Sequence, residues 1–186
     1  RERERKYPVT AIFHAGISGA RGRMGRAVSQ VLDARDDVVV AARFDWGETP
    51  DLSHCDVIID FTTAEASVAL AGLVAGQGGP ALVIGSTGFS PEQDAAILAA
   101  AEKIAIVRSG NFSLGVNILI GLVEHAAQRL DASEWDIEII EAHHRLKADA
   151  PSGTALMLGE AAAAGRNAEL SDLRTPPYDG ITGERE

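Results

Sequence analysis

Gly19-Ala20-Arg21-Gly22-Arg23-Met24-Gly25 is the stretch on which the fold turns. It follows an apolar run at residues 11–17 that reads as a strand. It opens a helical pattern at 24–34, where Val28, Val31 and Leu32 keep the spacing of a buried stripe. Glycines so spaced between strand and helix let the backbone turn tightly and approach a pyrophosphate, which then rests on the helix N-terminus. A glycine-rich turn can also mark close packing alone, so the signal needs support. Asp45 supplies it, at the end of a second strand (38–43) and about 20 residues beyond Gly25, where an acid accepts the hydroxyls of an adenosine ribose. The other reading of Asp45 is a turn residue beside Gly47. Gly19, Ala20, Arg21, Gly22, Arg23, Met24 and Asp45 are thus the expected cofactor-binding residues of this half.

The pattern repeats outward from that turn. Strands are expected at 57–61, 81–85 and 105–108, with helices at 64–75 and 91–103. Thr62 with Glu65 and Ser90 with Gln93 both read as capping boxes, and Pro91 suits a first helical position. Strands alternating with helices of this length predict an α/β fold, a Rossmann-like, doubly wound parallel sheet. Two later strand ends carry turns, Gly85-Ser86-Thr87-Gly88 and Ser109-Gly110-Asn111-Phe112-Ser113. In open α/β sheets ligands collect at the carboxyl ends of strands. Gly85, Ser86, Thr87, Gly110, Asn111, Phe112 and Ser113 therefore join the expected cofactor-binding set, helix entry and turn formation being their alternative roles.

Composition sets the limits. The chain has 186 residues, 46% hydrophobic and 24% charged, with a net charge of -10. That suits a globular protein of one domain or one and a part. Its acidity argues against a nucleic-acid surface, and no apolar run approaches the roughly 18 residues that span a bilayer. Cys55 is the single cysteine, which fits a reducing cytoplasm. No metal-ligand spacing occurs: His143 and His144 are adjacent rather than one helical turn apart, and Cys55 has no partner. His14, His54 and His125 read as structural or surface residues. Residues 1–8, alternating in charge, are expected to be disordered.

A second stretch carries the chemistry. Glu141-Ala142-His143-His144-Arg145-Leu146-Lys147 precedes Ala150-Pro151-Ser152-Gly153-Thr154-Ala155-Leu156, which opens an apolar helical run. Four potential cations thus sit just before a helix N-terminus, whose backbone N–H groups and dipole favour an anion. In so acidic a chain this cluster points to a small, multiply anionic substrate that must receive a proton; a solvated loop at a strand end is the bland alternative.

The chain resembles the dihydrodipicolinate (4-hydroxy-tetrahydrodipicolinate) reductase family of bacterial lysine and diaminopimelate synthesis. The resemblance rests on residues 19–25, on Ile59-Asp60-Phe61-Thr62, on Gly85-Ser86-Thr87-Gly88-Phe89, on Asn111-Phe112-Ser113-Leu114-Gly115-Val116-Asn117, and on the run from Glu141 to Leu156. It implies reduction of a cyclic imine dicarboxylate by NADH or NADPH, without a metal. His143 matches the acid/base catalyst, Lys147 the proton donor, and His144, Gly153 and Thr154 the substrate-carboxylate contacts. A hydride arriving at a conjugated imine leaves negative charge that a nearby ammonium neutralises by giving up a proton. The resemblance also implies a homotetramer for full-length members.

Departures from the family shape three further expectations. Trp46 stands where members that accept the 2′-phosphorylated cofactor usually place an arginine, so NADH is expected to be preferred; Arg43 is the possible substitute cation. The first strand carries His14 and Gly16 in positions usually apolar, which weakens it locally. The family also continues beyond Glu186, so residues 1–114 are expected to form the dinucleotide-binding domain and 115–186 a partial, α+β substrate domain. Within it a helix (117–130), a lone strand (137–143), a helix (151–164) and a mobile tail (161–186) are expected. Two other readings stay open: a truncated nucleotide-binding module without turnover, and another dinucleotide-dependent dehydrogenase.

Overall fold

The computed structural model describes residues 12–145 and 150–175. These fall into two compact units that divide between Gly110 and Asn111. The expectation for residues 1–8 and the role given to Lys147 lie outside the described residues.

The first unit is a five-stranded, wholly parallel sheet. Its strands are β1 (Phe13–Ser18), β2 (Val38–Phe44), β3 (Val57–Asp60), β4 (Ala81–Ile84) and β5 (Ile106–Arg108), in the order β2-β1-β3-β4-β5. The helices α1 (Arg23–Asp33), α2 (Ala64–Gln77) and α3 (Pro91–Ala101) connect them. The chain runs outward from β1 to β2 and then returns to the other side of β1 for β3. That reversal makes a switch point at the carboxyl ends of β1 and β3, where open α/β sheets bind ligands. Ile58, Leu82 and Ile84 of the central strands are fully buried with Leu70, Ala71 and Val74 of α2 and Ile97 and Ala100 of α3.

Strand and helix ends of this unit lie within two residues of expectation, and one cap is misplaced. Ser90 and Gln93 form the expected capping box at α3. At α2 the cap is Thr63, not Thr62: Thr63 Oγ1 accepts the Ala66 N–H, while the Thr62 hydroxyl donates to Asp60 at 2.7 Å. The buried carboxylate claims the first threonine, so the cap falls one residue later while the helix starts at Ala64 as expected. Gly16 lies where the β1–β2 register slips, between Ala15 and Gly16. A Cβ there would meet both Cys55 Sγ and Ile58 Cγ1 at 3.2 Å, so this glycine admits the neighbouring strand. His14 is half-buried on β1, and its backbone N–H donates to Asp56 at 2.7 Å.

The second unit contains α4 (Leu114–Ala127), α5 (Gly153–Gly165) and the short α6 (Leu170–Leu173). Close packing of α4 on α5 depends on small residues: Ala127, Ala161, Ala162 and Ala163 are buried, and a Cβ on Gly165 would lie 2.4 Å from the Glu124 carbonyl. The strand expected at 137–143 does not form. Ile137, Ile139 and Ile140 lie in irregular backbone, and among the described residues no strand pairs with them; a strand exists only through ladder partners. The expected tail is also corrected over its first part, since Ala161–Gly165 belongs to α5 and α6 follows. Residues 176–186 lie outside the described residues.

Candidate active site

In the first unit the glycine turn is built by the backbone. Gly19 has φ +76°, its N–H and that of Ala20 both donate to the Phe44 carbonyl, and Gly22 N–H closes onto the Gly19 carbonyl at 2.9 Å. Positive φ is open to glycine and strained for other residues. Gly22 is the N-cap of α1 and offers no side-chain bond to the helix start. The first turn of α1 thus keeps backbone N–H groups for an anion. A Cβ on Gly25 would stand 2.0 Å from the Gly19 carbonyl oxygen, so only glycine lets helix and turn approach this closely. Tight turn, uncapped helix start and close helix–strand packing are the three features that fit a dinucleotide pyrophosphate.

Asp45 lies against this turn. Its Oδ2 accepts the Arg21 backbone N–H at 3.3 Å and stands 3.6 Å from Arg21 Nε. The Arg21 guanidinium reaches Glu48 at 2.6 Å, and Glu48 accepts the Asp45 backbone N–H at 3.0 Å. That amide and the guanidinium hold the Glu48 carboxyl below its ordinary range. Arg43 is engaged elsewhere, with Asp33 at 2.5 Å. Arg23 and Met24 are exposed on the first turn of α1, and Trp46 is exposed beyond β2.

At the end of β4 the expected site residues divide. Gly85 has a packing reason, because a Cβ there would overlap the Phe61 ring at 2.0 Å. Ser86 is buried and its hydroxyl turns inward, 2.9 Å from Ser67 Oγ, whose own proton goes to the fully buried Asp60. Thr87 is left exposed. Asp60 and Ser67 were not among the expected site residues. Their signal was an acid at the very end of a central strand, a position where a charge needs local donors. Gly110 is the last residue of this unit and is exposed.

In the second unit Asn111 organises two helix starts. Its Oδ1 accepts the Ser113 N–H at 2.8 Å, its carbonyl accepts Asn117 Nδ2 at 3.0 Å, and its Nδ2 donates to Thr154 Oγ1 at 2.9 Å. Ser113 caps α4, and Phe112 beside it is exposed. Ser152 caps α5 through the Ala155 N–H. Glu141 links this start to the histidine pair: one oxygen accepts the Ser152 N–H at 2.7 Å and the other lies 3.2 Å from His143 Nδ1. His143 and His144 are exposed, while Gly153 and Thr154, the first residues of α5, are half-buried. Sequence reading gave Glu141 no role, since its partner Ser152 is eleven residues away. The cleft lined by Glu160, Asn167, Leu170 and Arg174 contains none of the expected site residues.

Comparison with known proteins gives this geometry a family. A model of the N-terminal part of dihydrodipicolinate reductase matches residues 13–112, and one of its C-terminal part matches residues 115–186. The chain belongs to the dihydrodipicolinate reductase family. A 4-hydroxy-tetrahydrodipicolinate reductase of Caulobacter vibrioides is 61% identical over 178 residues, which are 91% of this chain and 69% of that protein. One from Chelativorans sp. is 45% identical over 195 residues, covering 91% of this chain and 70% of its own length. Among solved structures, dipicolinate-bound dihydrodipicolinate reductase from Paenisporosarcina sp. TG-14 superposes with a TM-score of 0.64 at 26% identity, over 95% of this chain and 72% of that one. Members of the family are oxidoreductases that use a pyridine nucleotide. The glycine turn and Asp45 lie within the N-terminal match, and Glu141, His143 and Thr154 within the C-terminal one. No helix among the described residues is long and apolar enough to cross a membrane.

Proposed function

We propose that this chain reduces the cyclic imine dicarboxylate dihydrodipicolinate, formed from 4-hydroxy-tetrahydrodipicolinate, to tetrahydrodipicolinate in lysine and diaminopimelate biosynthesis. The turn from Gly19 to Met24, with Asp45, holds the adenosine and pyrophosphate portion of the nucleotide. Thr87 and the residues from Gly110 to Ser113 serve its nicotinamide side. The cofactor, when bound, supplies a hydride to the imine. The chain supplies the rest. Gly153 and Thr154 present backbone N–H groups and a hydroxyl to a substrate carboxylate at the start of α5, and His144 adds a donor. His143 is the acid/base group, and Lys147 delivers the proton that balances the hydride.

The observation that carries this reading is the placement of His143 on Glu141, whose other oxygen is bound at the start of α5. One carboxylate thereby fixes an acid/base ring beside a helix start suited to a carboxylate. NADH is the preferred reductant, in keeping with Trp46 where a phosphate-binding arginine would stand and with Arg43 committed to Asp33.

The test is NADH consumption at neutral pH, with the imine generated in the cuvette by the enzyme that precedes it. Turnover is expected, and Lys147→Ala abolishes it while NADH binding survives. Parallel loss of binding and turnover in that variant would overturn the division of labour. NADH binding without turnover in the parent chain would make it a nucleotide-binding module.

A further inference from the structure

Glu48 lies outside the glycine motif and has no part in the roles given above, yet both of its oxygens are engaged at the ribose acid. One accepts the Asp45 N–H at 3.0 Å and the other holds the Arg21 guanidinium at 2.6 Å. Arg21 closes the ring on Asp45 through its backbone N–H and Nε. Two carboxylates and one guanidinium therefore meet where the turn after β1 approaches the end of β2. Arg21 is 72% exposed and Glu48 41%, and an exposed ion pair contributes little to stability. Its larger effect falls on whatever binds beside it, because like charges brought together at an interface are strongly disfavoured.

The acid after the second strand of this fold takes the ribose hydroxyls of the adenosine half. A 2′-phosphate would therefore arrive next to Asp45 and within reach of Glu48, and it needs a cation there. Arg21 is the cation of the turn that reaches Asp45, and Glu48 already occupies it. We propose that Glu48 is a specificity-determining residue that selects against the 2′-phosphorylated dinucleotide, by holding Arg21 in a carboxylate pair and by adding its own negative charge to that of Asp45. The Glu48 carboxyl is kept ionised by the Asp45 amide and by Arg21 itself. This rests on the reading above that the turn and Asp45 hold the adenosine end of a pyridine nucleotide.

The experiment is calorimetric titration of the 186-residue chain with NADH and with NADPH at low ionic strength, where the charge effect is least screened. In the parent, NADPH binds more weakly than NADH. Glu48→Gln, which keeps an acceptor for the Asp45 amide, narrows the ratio of the two dissociation constants by on the order of tenfold. Glu48→Lys narrows it further. Adding Arg21→Ala to Glu48→Gln gives back most of the gain, because the freed guanidinium is what receives the phosphate. If both Glu48 variants leave the ratio within about twofold of the parent while Asp45→Ala weakens NADH binding, the role of Glu48 is overturned and the nucleotide site stands. If Asp45→Ala leaves NADH binding unchanged, or the parent binds neither dinucleotide, the adenosine-end reading has itself failed and the proposal falls with it.

Discussion

The Ser67 hydroxyl donates to the Asp60 carboxylate with both residues completely buried, Ser67 on α2 and Asp60 at the end of β3. A hydroxyl has one proton, so Ser67 accepts from Ser86 in its other contact, at 2.9 Å. Thr62 serves the second carboxylate oxygen at 2.7 Å. A charge without water is tolerated only when its lone pairs are satisfied. Ser67→Ala removes one of these donors and is expected to cost about 2–3 kcal/mol, read from the shift of the urea unfolding curve. Asp60→Asn, which keeps the shape and gives up the charge, is expected to cost less than Asp60→Ala.

Two glycine-to-alanine substitutions are expected to act in opposite directions. In Gly25→Ala the new methyl would meet the Gly19 carbonyl oxygen at 2.0 Å, and both partners are backbone. The turn must open, so thermal stability falls and NADH binding is lost together with it. Gly72 is exposed in the middle of α2, and a Cβ there meets nothing within 4 Å. Gly72→Ala is expected to stabilise by about 0.4–1 kcal/mol, because alanine gives up less chain entropy on folding. Thermal melts of the two variants beside the parent check both signs.

Much of the first unit was legible because each strand and helix there carries its own signal. The spacing of Val28, Val31 and Leu32 marked α1 as a helix, although Val31 is exposed and the expected buried stripe does not form; Ser90 with Gln93 marked the start of α3, both from neighbours in the chain. The Thr62 cap was misread because the competing partner, Asp60, became buried only through the sheet. Ile137, Ile139 and Ile140 carry a strand-like pattern, but pairing is a property of two segments and one pattern does not supply it. The site divided in the same way. His143, Gly153 and Thr154 stood out by residue type and by the helix start that follows them. The link from Asn111 to Thr154 spans 43 positions, and the second contact of Glu141 is likewise made by the fold.

Acid sensitivity follows from carboxylates that accept local hydrogen bonds. Asp131 is held below its ordinary range by the Ser133 N–H and hydroxyl, Asp51 by the Ser53 hydroxyl and N–H, and Asp56 by the His14 N–H. A depressed folded-state value means that the unfolded chain binds protons first as pH falls. The stabilisation is therefore complete above the unfolded carboxyl range, near pH 4, and disappears as pH drops through the folded values. Urea midpoints are expected to be level from pH 7 to about 5 and to decline below about pH 4. Asp131→Asn and Asp51→Asn should flatten that decline; an unchanged slope in both would assign it to other groups.

Glu141 gives the sharpest kinetic expectation. Its contact with His143 Nδ1 at 3.2 Å fixes which ring nitrogen faces the carboxylate and which is left for chemistry, while its contact with the Ser152 N–H anchors it to α5. A positioned proton-transfer group contributes about 10²–10⁴ in rate, so a residue that only positions it should cost part of that. Glu141→Gln keeps an acceptor for the Ser152 amide and removes the charge facing the ring; it is expected to lower kcat by on the order of tenfold to a hundredfold with NADH affinity unchanged. The melting temperature and the NADH affinity separate positioning from mere structural support. A positioning role lowers kcat with the melting temperature and NADH affinity unchanged. A variant that loses activity together with a lower melting temperature would instead place Glu141 in the folding of the loop before α5.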